Sequence, residues 1–318
     1  MAGKGESAGH NRVVSLVSAA SELIEIKARL WNGYINVRIL LYDYEDNESG
    51  PRSENARENT KKPKEFLCRI YRFSYLTLQL PNIIQYFQDF QPELAQRQLW
   101  FEYEGVPVKW NLPVGFLYDF LHLPSVVGDI EGSSGRSWTL VLRTQEYPSE
   151  YIIPFIYKNH DSAPDYDRCL KEVIVNQLKQ SSFVLNGNSR SIMSLSETNS
   201  AKLWNSIKTH NLPVYESVNK KILPKDRAQR LPIKIYIPGT ATIIQAPISP
   251  TKEDKTTSLR DVLETHLPHL FGPKNGNIAV PYIQGVDAGS LLDESLQTTW
   301  EIFKHLDNFL YIVVIPKN

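Results

Sequence analysis

The 318-residue sequence has little cysteine, no surplus of charge and no long apolar run. Its two cysteines, Cys68 and Cys169, argue against a disulfide framework and a Cys/His zinc site. The 35 basic and 35 acidic side chains cancel, so the overall positive field of a nucleic-acid-binding protein is missing. No stretch approaches the roughly 20 apolar residues of a membrane-spanning helix. We therefore expect a folded cytoplasmic protein without nucleic acid, and with at most peripheral membrane contact.

The sequence also lacks the short motifs that mark common enzymes: GxSxG, HExxH, a P-loop and a glycine-rich dinucleotide fingerprint. GSSG at 132–135 has two serines between its glycines, and we interpret it as a flexible loop. His266 and His269 stand at a spacing that suits a metal on one helical face. Pro268 between them breaks a helix, which favours two histidines at helix ends. No catalytic residue, metal or cofactor is expected.

The two cysteines are the remaining candidates for a nucleophile. Cys169 opens a predicted helix, where the helix dipole lowers the pKa of a thiol. Cys68 alternates with Phe66 and Ile70 along the apolar face of a predicted strand, which favours a place in the core. No neighbouring histidine or acid completes a catalytic pair. A thiol-dependent transferase that uses Cys169 or Cys68 is the alternative to a non-catalytic function.

Residues up to about 100 alternate between strand and helix patterns. A short amphipathic helix ends at Trp31, and the turn at Asn32–Gly33 leads into the strand YINVRILLY. Residues 45–64 are rich in charge and lack large apolar side chains, which predicts a mobile loop. The strand FLCRIYRF follows. The next segment, SYLTLQLPNIIQYFQDF, predicts a helix with Ile83, Ile84, Phe87 and Phe90 on one apolar face.

The aromatic stretch at 101–121, FEYEGVPVKWNLPVGFLYDFL, has almost no side chain suited to catalysis. Gly105 fits a tight connection between two strands, and Pro113 fits the start of a helix. The strand WTLVLRT then completes the order β-β-α-β-β-α-β. We interpret most of the aromatic residues as core.

The rest of the chain divides into a helical part and a second strand-rich part. Residues 162–222 have helical periodicity and almost no strand runs. From Leu231 the pattern gives a hairpin, a helix capped by Ser258, a loop, and the terminal run NFLYIVVIP, which is typical of a central strand. We predict an α+β protein with two ubiquitin-like β-grasp domains flanking a helix-rich region. The predicted parts are an N-terminal extension (1–22), the first ubiquitin-like domain (23–158), the helix-rich domain (159–228) and the second ubiquitin-like domain (229–318).

The stretch at 101–121 resembles the signature of the autophagy protein 5 family, which carries a similar W-F-E-Y-E-G, then P, K-W, and P-x-G followed by D. Further similar blocks follow the family's order: SYLTLQL at 74–80, Leu203–Trp204 ahead of VNKKIL, and DNFLYIVVIP at 307–316. The match runs from about residue 25 to the end. The resemblance implies two ubiquitin-like domains around a helix-rich region, and a function without an active site.

The resemblance also implies partners. Members of the family are covalently modified on one lysine by the ubiquitin-like autophagy protein 12, and they bind the N-terminal helix of autophagy protein 16. The resulting complex acts like an E3, because it promotes transfer of autophagy protein 8 to phosphatidylethanolamine. The complex contacts the E2 of the autophagy protein 8 system through the conjugate. The implied location is the cytoplasm and, peripherally, the membrane of the preautophagosomal structure.

The resemblance places the modified lysine on an early helix of the helix-rich region, after an apolar residue and roughly two dozen residues before the Leu-Trp pair. Lys179 follows Leu178 at this spacing from Leu203. Lys171 follows Leu170 and is the alternative. Lys179 is therefore the predicted acceptor of the isopeptide bond, and its amine has to be accessible on a stiff element.

The expected partner-binding mode is an amphipathic helix in an apolar groove. Such a groove would lie between the two ubiquitin-like domains and the early helix that ends at Trp31. Trp31 and Gly33 match a tryptophan-x-glycine of the family and are the candidate partner-binding residues. A core or turn role explains both residues equally well.

A nucleic-acid or lipid-binding module would need clustered basic residues. The best such segment is KKILPKDRAQR at 220–230. We interpret it as a solvated linker with a weak attraction to anionic lipid.

Overall fold

The structure is a computed structural model that describes residues 22–42, 62–128, 137–157, 164–272 and 278–317. The predicted N-terminal extension, apart from its last residue, lies outside the described residues. So do GSSG at 132–135 and most of the loop predicted at 45–64. Among the described residues, no helix is long and apolar enough to cross a lipid bilayer.

The first part of the chain folds into a five-stranded sheet with helices packed against it. Its elements are α1 (22–31), β1 (Tyr34–Leu41), β2 (Lys64–Tyr71), α2 (Leu80–Phe87), β3 (Trp100–Tyr103), β4 (Val106–Pro107), α3 (Val114–Leu121), α4 (Leu123–Gly128) and β5 (Trp138–Arg143), with short 3-10 helices at Leu76–Gln79 and Pro92–Gln96. The strand order is β2-β1-β5-β3-β4, and β1 is antiparallel to β2 and parallel to β5. This is the β-grasp arrangement that the sequence predicts.

Local sequence signals account for several of these elements. Glu104 and Gly105 both have positive φ and form the tight β3–β4 turn. Pro113 is the residue that caps α3, as predicted. One detail is wrong: α2 ends at Phe87, so Phe90 lies beyond the helix and is 45% exposed instead of sharing the buried face of Ile83.

The middle of the chain forms a helical bundle. Its helices are α5 (Tyr166–Asn186), α6 (Arg190–Met193), α7 (Glu197–Lys208) and α8 (Leu212–Asn219). The side chain of Asp165 caps the start of α5, and Gly187 ends it in the left-handed conformation with φ 72°. Leu178 on α5 and Trp204 on α7 belong to one buried cluster, which also includes Trp31 from α1.

The last part of the chain repeats the topology of the first. Its main elements are β6 (Leu231–Tyr236), β7 (Ile243–Ile248), β8 (Thr251–Lys252), β9 (Lys255–Thr256), α9 (Leu259–His266), α10 (Pro268–Phe271), β10 (Ala279–Ile283), β11 (Val286–Asp287), α11 (Leu296–Phe303) and β12 (Leu310–Pro316), with a 3-10 turn at Gly289–Leu291. The order β7-β6-β12-β10-β11 matches the first sheet, with β6 parallel to β12. Ser258 and Asp261 form a reciprocal capping box at α9, which confirms the predicted helix start. The sequence pattern missed β10, β11 and α11, where it gave only a loop.

Strand β12 contributes to two hydrophobic cores at once, because successive side chains of a strand point to opposite faces. One face packs in the core of the second domain and the other packs in the core of the first. The residues of the second-domain core are Leu310, Ile312 and Val314, and those of the first-domain core are Tyr311, Val313 and Ile315. The Tyr311 ring lies 5.0 Å from the ring of Phe116 on α3. The two ubiquitin-like domains and the bundle therefore form one packed body.

Candidate functional site

The structure places both candidate acceptor lysines on α5. Lys179 and Lys171 are each half-buried. Eight helical residues separate them, which corresponds to about 12 Å along the helix axis. Because both helix ends are capped, α5 is a stiff support for either amine.

The surroundings of the two lysines differ. Lys171 borders a small apolar recess of about 50 Å³ between α5 and α7, which is lined mainly by Ile174, Leu178, Leu203, Trp204 and Ile207. Lys179 lies outside the lining of this recess. One helical turn after it comes Phe183, whose side chain is 63% exposed. The site around Lys179 therefore combines an amine with an exposed aromatic side chain.

The second candidate site is a cleft of about 290 Å³ where α1, α8 and α11 meet. Its walls come from all three parts of the fold. The lining residues are Lys27, Trp31, Phe73, Leu212, Tyr215, Glu216, Asn219, Lys220, Leu223, Glu301, Ile302, Lys304, His305 and Leu306. No residue of α5 belongs to this lining, so the cleft and the candidate acceptor lysines occupy different surfaces.

Trp31 forms part of the cleft wall and is itself held by contacts from the bundle. Its indole N–H donates to the carbonyl of His210 at 3.2 Å, and the His210 Nε2 donates to the Trp31 carbonyl at 2.7 Å. The His210 ring stacks between Trp31 at 4.5 Å and Tyr71 at 3.6 Å. Burial lowers the pKa of His210, which keeps its ring neutral for these contacts. The two hydrogen bonds and the two ring-stacking contacts hold α1 against the bundle and against the end of β2.

The rim of the cleft carries charges of both signs around an apolar floor. The charged lining residues are Lys27, Lys220, Lys304, Glu216 and Glu301. Burial, with a smaller contribution from Lys27, lowers the pKa of Lys304 to about 8. The Lys304 ammonium donates to the Glu301 carbonyl at 3.2 Å and lies 4.5 Å from the Trp300 ring centre.

Buried hydrogen bonds hold the walls of the cleft together. The amides of Asn219 on α8 and Asn308 before β12 exchange two hydrogen bonds of 2.9 Å. The hydroxyl of Tyr215 donates to the carbonyl of Leu306 at 3.0 Å. These contacts join the bundle to the second domain, so the cleft is already formed in the isolated chain.

Gly33 lies at the turn between α1 and β1 and is not part of the cleft lining. Its carbonyl accepts a hydrogen bond from the Arg72 backbone at 2.9 Å. A Cβ at this position would come within 3.1 Å of the Leu30 carbonyl oxygen and 3.2 Å of the Arg72 side chain. The sequence leaves open whether Gly33 binds a partner or forms a turn. The contacts in the structure are those of a turn residue.

The cysteines do not have the surroundings of nucleophiles. Cys169 is buried, and its sulfur accepts a hydrogen bond from the Ile156 backbone at 3.0 Å. The helix start predicts a lowered pKa, but burial outweighs the dipole and raises the pKa of Cys169. Burial also raises the pKa of Cys68 to about 11. At neutral pH both sulfurs are thiols.

The two histidines of the sequence motif lie at helix ends: His266 is the last residue of α9, and His269 belongs to α10. Within the described ranges, no group of three or more His, Cys, Asp or Glu side chains is arranged to hold a metal ion. The basic segment 220–230 forms the connection between α8 and β6. No sequence signal marks Tyr215 and Lys304 as cleft residues, and none marks His210 as the partner of Trp31, because these positions depend on the packing of separate parts of the chain.

Comparisons with known proteins agree with this architecture. Three domain models of the family described as autophagy protein ATG5 match the chain: UblA at 30–144, the alpha-helical bundle region at 167–225 and UblB at 230–314. Autophagy protein 5 of Scheffersomyces stipitis is 62% identical over 94% of this chain and 99% of its own length. Autophagy protein 5 of Candida albicans is 43% identical over 92% of this chain and 97% of its own length.

A solved structure has the same fold. The crystal structure of Kluyveromyces marxianus Atg5 superposes with a TM-score of 0.68 at 26% identity, over 91% of this chain and 98% of that chain. Its likeness extends over both ubiquitin-like domains and the bundle between them. On the combined strength of the three domain matches and the near full-length identity to fungal relatives, the chain belongs to the autophagy protein 5 family.

Proposed function

We propose that this protein is a non-catalytic acceptor and scaffold in autophagosome formation. In this proposal the ubiquitin-like autophagy protein 12 is joined to Lys179 by an isopeptide bond, and autophagy protein 16 binds in the cleft between α1, α8 and α11. The complex then acts like an E3 in the transfer of autophagy protein 8 to phosphatidylethanolamine. The observation that carries the proposal is the preformed three-domain cleft, separate from a lysine on a capped helix.

The conjugation step makes modest chemical demands on the acceptor. The unprotonated Lys179 amine attacks the thioester carbonyl of an E2-bound modifier. The amide C–N bond forms, the C–S bond to the E2 breaks, and the one proton that the amine loses ends on the departing thiolate. A lysine with a flexible stem on a rigid helix meets these demands. The family resemblance selects Lys179 over Lys171, and its position outside the apolar recess of Lys171 supports that choice.

The cleft suits an amphipathic helix better than a small molecule. Its floor is apolar, with Trp31, Leu212 and Ile302, and its rim carries charges of both signs. A helix with one apolar face and charged flanks matches both features. Because three parts of the fold build the walls, a bound helix would also hold them together.

The thiols of buried Cys169 and half-buried Cys68 support a function in which other proteins supply the reactive groups. Raised pKa values at Cys68 and Cys169 disfavour the thiolate that a transferase needs. We therefore propose that the E2 of the autophagy protein 8 system is recruited through the conjugate, and that the complex acts at the preautophagosomal structure as a peripheral membrane protein. The serine variants of both cysteines test the alternative: loss of lipidation by a folded double variant would favour the transferase.

The decisive experiment is a reconstituted conjugation assay with the E1, the E2 and the modifier. Lys179→Arg should abolish the conjugate band, whereas Lys171→Arg should leave it unchanged. Mass spectrometry of the branched peptide from the wild-type chain identifies the lysine directly. A conjugate that survives Lys179→Arg and disappears in Lys171→Arg would transfer the assignment to Lys171.

The cleft is tested separately from the lysine. Ile302→Glu places a charge on the apolar floor without touching α5, so it should abolish binding of the autophagy protein 16 helix and leave conjugation at Lys179 intact. The exposed Ile153, outside the cleft, provides the matched control Ile153→Glu. Equal helix binding by both variants would exclude the cleft as the docking site.

A further inference from the structure

The edge strands of the two ubiquitin-like sheets differ in their protection. Natural proteins blunt exposed sheet edges with short strands, proline or charge, because unpaired backbone groups invite further strands. Strands β4 and β11 each have two residues, and β7 contains Pro247. Strand β2 has eight residues and no proline, and among the described residues it pairs only with β1. One long edge is thus left without the protection of a short strand or a proline.

Aromatic side chains border this edge on the α2 side. Phe66 of β2 lies 5.1 Å from Tyr86 of α2, and Tyr86 lies 6.3 Å from Phe90, measured between ring centres. Tyr86 and Phe90 are each 45% exposed. We call Phe66, Tyr86 and Phe90 the aromatic shelf. Every second side chain of a strand added beside β2 would contact this shelf.

The opposite face of the edge is also partly apolar. Leu67 points away from the aromatic shelf, because side chains alternate along β2, and it is 68% exposed. The last residue of β2, Tyr71, is already engaged by His210. The open part of the edge therefore runs from Lys64 to Ile70.

The charge along the edge is basic. Strand β2 carries Lys64 and Arg69 against a single acidic residue, Glu65, and Glu65 lies 3.4 Å from Arg38 of β1. The Lys64 ammonium lies 4.5 Å from the Phe90 ring centre, so this positive charge borders the aromatic shelf. Helix α2 has no charged residue that would offset it.

We propose that the open edge of β2 is a docking site for an extended segment of a partner protein, with apolar residues at alternate positions and acidic residues at its ends. The segment adds to the first sheet as a sixth strand. Its backbone pairs with the outward N–H and C=O groups of β2, its apolar side chains cover the aromatic shelf, and its carboxylates face Lys64 and Arg69. This site uses neither the cleft nor the acceptor lysine.

The test uses the full chain and synthetic peptides. The probe is the peptide DDVTFTVDD, which alternates apolar and threonine residues between acidic ends. Two control peptides change one property each: DDVPFTVDD keeps the three apolar side chains but removes a backbone donor and disrupts strand pairing, and KKVTFTVKK reverses the charge. Fluorescence anisotropy of labelled peptides measures affinity, and hydrogen exchange followed by mass spectrometry measures amide protection in 64–70. We expect the first peptide to bind and to slow exchange in 64–70, and both controls to bind roughly tenfold more weakly or worse.

Variants locate the site. Tyr86→Ala with Phe90→Ala should weaken binding of DDVTFTVDD by roughly tenfold, because it removes the two rings of the aromatic shelf that lie outside the strand. Lys64→Glu with Arg69→Glu should reverse the preference between the acidic and basic peptides. Tyr151→Ala, at an exposed tyrosine in the connection to α5, is the control and should bind like the wild type. Lys179→Arg should also bind normally, which separates this site from conjugation.

Four results would overturn the proposal. Equal binding of the proline peptide would exclude strand addition, and peptide-induced protection at β7 instead of β2 would place the site on the other sheet. Slow exchange, in the dilute free chain, of those amides of 64–70 that point away from β1 would show that the chain's own residues cover the edge. Slow exchange that appears only at high protein concentration would assign the edge to a second copy of the chain.

Discussion

The two ubiquitin-like sheets have the same strand order but opposite relations to the rest of the molecule. In the second sheet, β6 and β12 are buried on both faces, because one face packs on its own helices and the other on the first domain. In the first sheet, β1 starts with alternating exposed and buried residues, and among the described residues β2 pairs with a strand on one side only. The second sheet therefore lies at the centre of the molecule, whereas the first sheet keeps one exposed edge strand among the described residues.

The strongest test of this difference compares tyrosines on central strands of the two sheets. Tyr311→Ala removes a ring shared between the domains and leaves Asp307, whose carboxylate accepts the Tyr311 hydroxyl at 2.7 Å, without that partner. We expect a loss of about 3–5 kcal/mol of unfolding free energy. Tyr34→Ala on β1 removes a 49% exposed ring that contacts Arg69, and should cost about 1 kcal/mol or less. Urea denaturation measures both, and equal losses would contradict the asymmetry.

A second test compares two hairpin glycines of the second domain with nearly the same backbone conformation. Gly285 has φ 77° and Gly239 has φ 76°, so alanine costs about 1–2 kcal/mol at either position through strain alone. A Cβ at Gly239 meets nothing within 4 Å, whereas one at Gly285 would lie 2.8 Å from the guanidinium of Arg72.

Arg72 pairs with buried Asp119 of α3, and the Gly285 backbone also hydrogen-bonds to that carboxylate. Gly285→Ala should therefore cost at least about 1 kcal/mol more than Gly239→Ala, since it disturbs the contact between the two domains. Thermal unfolding of both variants checks this. Similar melting temperatures would mean that the Arg72 side chain can move away from the new methyl group without a loss of stability.

The third test uses the buried histidine at the domain junction. Burial, with help from Arg72 and Lys234, lowers the pKa of His305 to about 3, and its Nε2 accepts a hydrogen bond from Gln284 at 2.8 Å. Between pH 6.5 and pH 3 the unfolded chain binds more protons at this residue than the folded chain. Stability therefore falls as pH decreases, by roughly 2 kcal/mol from pH 6.5 to pH 5.

His305→Gln should reduce this loss of stability at acidic pH, because it removes the titrating group. The control is His269→Gln, a change at an exposed histidine of the same domain. Denaturation midpoints measured between pH 5 and pH 7 give the slope. If stability depends on pH equally steeply in His305→Gln and in the wild type, other groups cause the loss of stability at acidic pH.

The smallest expected effect is at the cleft. The pKa of Lys304 is lowered to about 8, so between pH 8 and its ordinary value near 10.5 the unfolded chain holds more protons, and stability rises with pH. Solvent screening reduces this effect because the side chain is only half-buried. Lys304→Met should reduce the rise, and Lys220→Met on the same rim is the control. Thermal unfolding at pH 8 and pH 10 measures the change, and an equal rise in both variants would contradict it.

The sequence predicted much of the fold because several of its signals are local. Ser258 capped its helix as expected, Pro113 and Gly105 marked a helix start and a turn, and the uninterrupted apolar run before the C-terminus became a buried central strand. The short β10 and α11 were missed, because Pro281 interrupts the strand pattern and threonines weaken the helix pattern.

The candidate sites were harder to predict than the fold. The positions of Lys171 and Lys179 on one helix followed from periodicity, but nothing in the sequence indicated that only Lys171 borders an apolar recess. The expected low pKa of Cys169 was wrong, because burial raises this pKa by more than the hydrogen bond from the Ile156 backbone lowers it. The exposure of Phe90 depended on where α2 ends.

By itself, the sequence determined the two β-grasp patterns, the helical middle and the family to which the chain belongs, because caps, turns and hydrophobic periodicity act between residues close in the chain. Only the tertiary structure decided which face of β12 serves which core, that His210 clamps Trp31, and that α1, α8 and α11 enclose one cleft. These features join residues up to 179 positions apart. Their energies come from burial and from hydrogen bonds that exist only when three separately patterned regions pack together.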